Sequence, residues 1–101
     1  MNANIGAAIK FMRTVAGMTA KEMAAALGVS SGYLSEVENG KKPPTLRLLE
    51  TYAQRFDIPV SKVIRLAEYM SIKPPNYDLA RETVEYILNN LEARGWGREE
   101  T

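Results

Sequence analysis

The sequence contains no cysteine and no histidine among its 101 residues. The lack of cysteine excludes disulfide bonds, a thiolate nucleophile and Cys-ligated zinc, and it favours a reducing compartment. The lack of histidine removes the commonest general base near neutral pH, so that only carboxylates, lysine and tyrosine remain for chemistry. We also find no phosphate-binding glycine loop and no metal-ligand cluster. The sequence therefore predicts a protein that is not an enzyme and needs no metal or other cofactor.

Long hydrophobic runs are also missing. No apolar segment approaches the roughly 18 residues of a membrane span, and Lys10 and Arg13 interrupt the region where a signal peptide would be apolar. We therefore expect a cytoplasmic protein with no membrane partner. A chain of 101 residues with 46% hydrophobic composition is long enough for one small core.

The net charge of +1 conceals an uneven distribution. Residues 1–73 carry ten basic and six acidic side chains, whereas residues 74–101 carry three basic and six acidic ones. The first segment is therefore suited to face a polyanion, and the second is not.

Helical periodicity runs through most of the chain. Apolar residues at three- and four-residue steps predict a first helix from Ile5 to Val15. The sequence Thr19-Ala20-Lys21-Glu22 is a capping box that begins a second helix, which ends at Gly28. Ser30 can cap a third helix that ends before Gly40, so only a few residues separate the second and third helices.

Prolines and polar caps divide the rest of the chain. Pro43 and Pro44 exclude helix, and Thr45 caps a fourth one. The apolar stripe predicted for the fourth helix is Leu46, Leu49, Tyr52, Ala53 and Phe56. That of the fifth helix is Val60, Val63, Ile64 and Ala67. After Lys73-Pro74-Pro75, residues 79–93 predict an amphipathic helix whose stripe is Val84, Ile87, Leu88 and Leu91.

Two short helices joined by a tight glycine turn suit the insertion of the second helix into the major groove of DNA. Residues 20–39 resemble the helix-turn-helix of the phage-repressor family, also called lambda-repressor-like or Cro/Xre type. Ala24 stands at the small position where the helices cross, and Gly28 at the turn. The apolar packing positions are Met23, Leu27, Val29, Leu34 and Val37.

The resemblance extends from about Ile5 to about Ala67 and includes the ending Glu38-Asn39-Gly40-Lys41. It implies an all-α fold, in which a five-helix lambda-repressor-like domain is followed by the additional C-terminal amphipathic helix. We assign residues 1–72 to the helix-turn-helix DNA-binding domain and residues 73–101 to a C-terminal helical extension that serves as a dimerisation element.

The resemblance places a base-reading face on the helix at 30–39. If Leu34 and Val37 point inward, the opposite face carries Ser31, Gly32, Ser35 and Glu36. The resemblance implies that these positions face base edges in the major groove. A glutamate at 36 can accept from a cytosine amino group, and a solvated surface carboxylate is the alternative reading.

The resemblance also implies a set of contacts with the DNA backbone. We expect these contacts from Thr19, Lys21, Tyr33, Asn39, Lys41, Lys42, Thr45 and Arg47. For Tyr33, packing against the fourth helix is an equal alternative. Family members often carry glutamine at the first residue of the second helix, where this chain has Ala20, so Thr19 or Lys21 would have to supply that contact.

Two charged residues match scaffold positions of the family. Arg13 of the first helix and Glu38 at the end of the recognition helix correspond to an internal ion pair in relatives. We therefore expect Arg13 to be structural and not to contact DNA.

We expect a transcription regulator that binds a two-fold operator on double-stranded DNA as a homodimer. Repression is the expected type of regulation. Val84, Ile87, Leu88 and Leu91 are the predicted dimerisation residues, with folding of this helix onto its own domain as the alternative. A second functional hypothesis is an antitoxin or anti-regulator whose C-terminal helix binds a partner protein.

Overall fold

The computed structural model describes residues 4–93, and within them every regular element is an α-helix. This confirms the predicted all-α fold. The helices are α1 (Ile5–Val15), α2 (Ala20–Leu27), α3 (Ser31–Glu38), α4 (Leu46–Arg55), α5 (Val60–Ser71) and α6 (Tyr77–Ala93).

The predicted caps fix where three of the helices begin. The Thr19 hydroxyl accepts from the Glu22 amide at 3.0 Å, and the Glu22 carboxylate accepts from the Thr19 amide at 2.9 Å, which confirms the capping box. Ser30 and Thr45 cap α3 and α4 in the same way, each through one side-chain oxygen. These bonds satisfy amides that have no partner inside the helix.

The turn between α2 and α3 is closed by two backbone hydrogen bonds around Gly28. The Val29 amide donates to the Ala24 carbonyl at 3.0 Å, and the Gly28 amide donates to the Ala25 carbonyl at 3.3 Å. This pattern needs a left-handed residue, and Gly28 has φ of 76°. The turn therefore reverses the chain within very few residues and sets the angle between the two helices.

The core lies where α1 meets the other helices. Ile9 and Met12 of α1 are fully buried, as are Leu34 of α3 and Tyr52 of α4. The Tyr52 hydroxyl donates to the Ile9 carbonyl, which satisfies a buried polar group and joins α4 to α1. Burial also raises the pKa of Tyr52 far above its ordinary value.

Helix α6 folds onto its own chain, which agrees with the alternative expected for its apolar stripe and not with a dimerisation surface. Val84, Ile87 and Leu91 are buried against the core and Leu88 is partly buried, with α6 packed on α1 and α5. Phe11 of α1 also lies beside Tyr77, with ring centroids 6.2 Å apart. Because the stripe is covered inside one chain, it offers no surface for dimerisation in this structure. The helix instead packs on its own domain. Residues 94–101 of the predicted extension lie outside the described residues.

Two apolar residues expected in the core are exposed. Leu46 is 65% exposed and Ile64 is 39% exposed, while their neighbours Leu48 and Leu66 are buried. Leu46 is the first residue of α4 and Ile64 adjoins the buried Val63, so that apolar spacing alone does not show which residues of each stripe are covered. Helix α6 likewise begins two residues earlier than predicted, because the Asn76 side chain caps it by accepting from the Leu79 amide at 3.0 Å.

Gly6 packs α1 against the end of α3 without a side chain between the two backbones. A Cβ at this position would overlap the carbonyl oxygen of Val37 and would also lie 3.1 Å from the carbonyl oxygen of Glu38. The contact is backbone to backbone, so neither atom can rotate away. Gly6 therefore sets how closely α1 approaches the recognition helix.

We predict that Gly6→Ala lowers the free energy of unfolding by about 1 to 3 kcal/mol, because the added methyl group forces the two helices apart. Urea denaturation measures this change. Gly32→Ala is the matched control: a Cβ there meets nothing within 4 Å, and alanine is the better helix former, so stability should rise by about 0.5 to 1 kcal/mol. Equal effects of the two substitutions would contradict the close packing at Gly6.

Candidate nucleic-acid interface

Helix α3 has one buried side and one polar side. Leu34 and Val37 are buried in the core, as the predicted inward face requires. On the other side Ser31 and Gly32 are exposed, and Ser35 and Glu36 are half-buried. Because these four residues are predicted to read bases, we call them the base-reading face, and that role stays a prediction.

The polar side chains of this face are held by neighbours near the end of α3. The Asn39 side-chain amide donates to the Ser35 hydroxyl at 3.3 Å. The Glu36 carboxylate lies 3.4 Å from the Lys42 ammonium group. Residues predicted to read bases are therefore in contact with residues predicted to touch the DNA backbone.

A groove between α3 and α4 brings together three of the predicted backbone contacts. Tyr33, Thr45 and Arg47 line it, beside Gly28. Tyr33 is half-buried and packs against the core, which agrees with the packing alternative, and its contact with DNA stays a prediction. The Thr45 oxygen accepts from the Leu48 amide at 3.0 Å, which leaves its hydroxyl hydrogen able to donate to a phosphate. The N-terminus of α4 adds a partial positive charge here.

The remaining predicted backbone contacts do not line this groove. Asn39, Lys41 and Lys42 are exposed at the end of α3 and in the loop after it. Thr19 and Lys21 are exposed at the start of α2 and do not line the groove. The Thr19 side chain is occupied in the capping box, so its hydroxyl hydrogen is the part that remains for a phosphate.

Arg13 and Glu38 form a two-pronged ion pair inside the fold. The Arg13 Nε atom donates to one Glu38 carboxylate oxygen at 2.8 Å, and Nη2 donates to the other at 3.0 Å. The side chains are only 13% and 3% exposed. The hydrogen bonds to Glu38 raise the pKa of Arg13 above its already high value. Arg13 is thus turned away from solvent, in agreement with a structural role.

Two contacts were not predicted from the sequence. Arg13 Nη1 also donates to the Met18 carbonyl at 2.8 Å, which ties the pair to the loop before α2. The pairing of Glu36 with Lys42 depends on the chain reversing at Gly40, which has φ of 78°. The glycine indicates the left-handed end of α3 but not which side chains meet across it.

Other kinds of site find no support in the described part of the chain. Within residues 4–93, no three acidic, histidine or cysteine side chains lie close enough to hold a metal ion. Among the helices of the same range, none has both the length and the hydropathy needed to cross a bilayer.

Comparison with known proteins agrees with the geometry of α2 and α3. A family model described as helix-turn-helix matches residues 9–63, which is more than half of the chain. The chain belongs to the phage-repressor-like helix-turn-helix family. This confirms the resemblance found in residues 20–39.

Relatives within the helix-turn-helix family include phage and bacterial proteins. The chain is 34% identical over 79 residues to the ImmF control region 10 kDa protein of Bacillus phage phi105, covering 78% of this chain and 87% of that one. It is 35% identical over 60 residues to the transcriptional regulator ClgR of Mycobacterium tuberculosis, covering 59% of this chain and 54% of ClgR. Over 67 residues it is 34% identical to the competence pilus inhibition repressor of Acinetobacter baylyi, covering 66% of this chain and 61% of that one.

A solved helix-turn-helix structure is also similar. The crystal structure of the clp gene regulator ClgR from Corynebacterium glutamicum superposes with a TM-score of 0.64 at 36% identity, covering 78% of this chain and 85% of that one. The fold and the family assignment therefore rest on agreement of both sequence and structure.

We predict that Arg13→Met lowers the free energy of unfolding by about 3 to 5 kcal/mol, because it leaves the Glu38 carboxylate buried without its partner. Arg65→Met is the matched control, since Arg65 pairs with Glu68 at 3.6 Å where both side chains are more than 60% exposed. Exposed pairs contribute about 0 to 1 kcal/mol, so this control should change stability little. Similar losses in the two variants, measured by urea denaturation, would contradict the structural role of Arg13.

Proposed function

We propose that this protein is a sequence-specific DNA-binding transcription regulator that acts as a repressor and can control its own promoter. Residues 1–72 are the DNA-binding part, and α3 enters the major groove, which is roughly 12 Å wide and accepts one α-helix. The observation that carries the proposal is the position of the base-reading face beside the groove of Tyr33, Thr45 and Arg47. Base edges and phosphates can then be contacted from one side of the molecule.

The division of charge supports the same orientation. The excess of basic residues lies in residues 1–73, and the excess of acidic residues follows it. Helix α6 packs on α1 and α5, whereas α3 packs on α1 and α2. An acidic helix on a different part of the core leaves the DNA-facing side basic, which favours association with a polyanion.

The names of the relatives favour repression as the type of regulation. One is called a control-region protein of a phage, and another is called a repressor. We propose the same activity for this chain. Because it spans only about half of the Mycobacterium ClgR and 61% of the competence repressor, the proposal concerns the shared DNA-binding part.

We further propose that the protein binds a two-fold operator as a homodimer. One helix reads only about half a turn of DNA, and a two-fold dimer doubles the sequence that is read. The homodimer uses a surface other than the stripe of Val84, Ile87 and Leu91, since that stripe is buried in the chain's own core.

The same burial bears on the second functional hypothesis. An antitoxin or anti-regulator would bind its partner protein through the C-terminal helix, and the apolar stripe of that helix is covered by the chain's own core. No observation on the described residues favours this hypothesis over the regulator.

Selection from random DNA with the purified protein tests the proposed function. We predict a two-fold site whose half-sites lie about one turn, roughly 10 base pairs, apart. We also predict that the logarithm of the binding constant falls linearly with the logarithm of the salt concentration, because phosphate contacts release counterions. Failure to recover a two-fold site, together with binding that is insensitive to salt, would contradict the proposal.

The role of Glu36 in reading bases has a separate test on the selected site. We predict that Glu36→Ala reduces discrimination at one base pair by about 1 to 3 kcal/mol, because the carboxylate no longer accepts from a cytosine amino group. Competition binding against the four variants of that base pair measures the change. Glu82→Ala on the exposed side of α6 is the matched control and should leave the preference intact. An unchanged base preference in Glu36→Ala would show that this side chain reads no base.

A further inference from the structure

Glu36 and Lys42 stand out on the DNA-facing side because they have opposite effects on phosphate binding. The Glu36 carboxylate repels phosphates, and the Lys42 ammonium group attracts them. The two groups lie 3.4 Å apart and are 47% and 55% exposed. In the protein without DNA, the negative charge of Glu36 therefore offsets the positive charge of Lys42.

The backbone holds this pair in position. At the end of α3 the amides of Lys41 and Lys42 both donate to the Glu36 carbonyl, at 2.8 and 3.2 Å. The Gly40 amide donates to the Val37 carbonyl at 3.1 Å, with Gly40 in the left-handed region. The main chain of Glu36 therefore anchors the same loop whose lysine meets its side chain.

An exposed pair of this kind is weak enough to exchange partners. When a base edge donates to Glu36, the carboxylate gains a new partner and the ammonium group is released to a phosphate. When no base donates to Glu36, Lys42 either stays with the carboxylate or leaves it unpaired among phosphates. The first arrangement loses a phosphate contact, and the second leaves an unpaired carboxylate near phosphates, so each of them weakens binding to DNA of the wrong sequence.

From this geometry we infer that the Glu36–Lys42 pair is a specificity device that withholds one phosphate contact from non-cognate DNA. The inference rests on the proposed function, and it assigns to Glu36 a role in rejecting wrong sequences in addition to reading a base. Glu36 acts in this role through Lys42, whose phosphate contact the pair withholds.

The test measures binding of the full chain to a labelled random-sequence duplex between about 50 and 200 mM salt. We expect Glu36→Gln to bind this duplex about three- to tenfold more tightly than wild type at the lowest salt. Its salt slope should be steeper by about 0.9, the value for one more phosphate contact. In a Lys42→Gln background the same Glu36→Gln change should leave the slope unaltered, because no lysine is left to release.

Glu85→Gln is the matched control. Glu85 also pairs with a basic residue, Arg81, at 3.8 Å and is 54% exposed, but it lies on α6. The substitution changes the net charge by the same amount, so it reports the general effect of removing an acid. We expect a change in affinity of less than about twofold and the wild-type slope.

The outcomes separate the inference from the proposed function. Wild-type protein that lacks salt-dependent binding contradicts the proposed function. Wild-type protein with salt-dependent binding, together with a Glu36→Gln variant that matches Glu85→Gln in affinity and slope, contradicts only the inference. A slope increase that persists without Lys42 also contradicts it, since the added contact then comes from another residue.

Discussion

The ion pair between Arg13 and Glu38 is the interaction on which the geometry of the proposed DNA-facing side depends. One guanidinium group of α1 binds the carboxylate at the end of α3 and the Met18 carbonyl just before α2. It therefore joins the three elements that make up the helix-turn-helix and its support. Gly6 acts next to it by letting the α1 backbone meet the Val37 carbonyl directly. Together these contacts fix the height and tilt of α3 relative to the core.

The rigidity of α3 matters because the residues on its polar side can form only a few weak contacts with bases. Two serines, a glycine and a glutamate offer few strong contacts to bases, and only a fixed orientation lets them be used together. We propose that the attraction to DNA comes from Lys41 and Lys42 in the loop after α3 and from the groove lined by Tyr33, Thr45 and Arg47. The net charge of +1 thus describes a basic DNA-binding part and an acidic C-terminal helix that packs elsewhere on the core.

Most of the fold could be predicted because its local signals are unambiguous. The capping box at Thr19, the left-handed Gly28 and the caps at Ser30 and Thr45 each have one structural interpretation. The stripe of α6 was predicted correctly as a stripe, but a second chain was favoured over the chain's own domain as its cover, because periodicity shows that Val84 and Ile87 are covered but not by what. The close approach at Gly6 and the pairing of Glu36 with Lys42 arise from tertiary packing and a chain reversal, which spacing along the sequence does not encode.

We propose that α3 and the loop after it form the surface that meets DNA, while α6 belongs to the scaffold. Backbone amide chemical shifts measured during titration with the selected duplex test it most directly. We predict that the largest changes fall on residues 31–36, 39–42 and 45–47, with the exposed side of α6 nearly unchanged. Large changes confined to α6, with the amides of α3 unaffected, would contradict it.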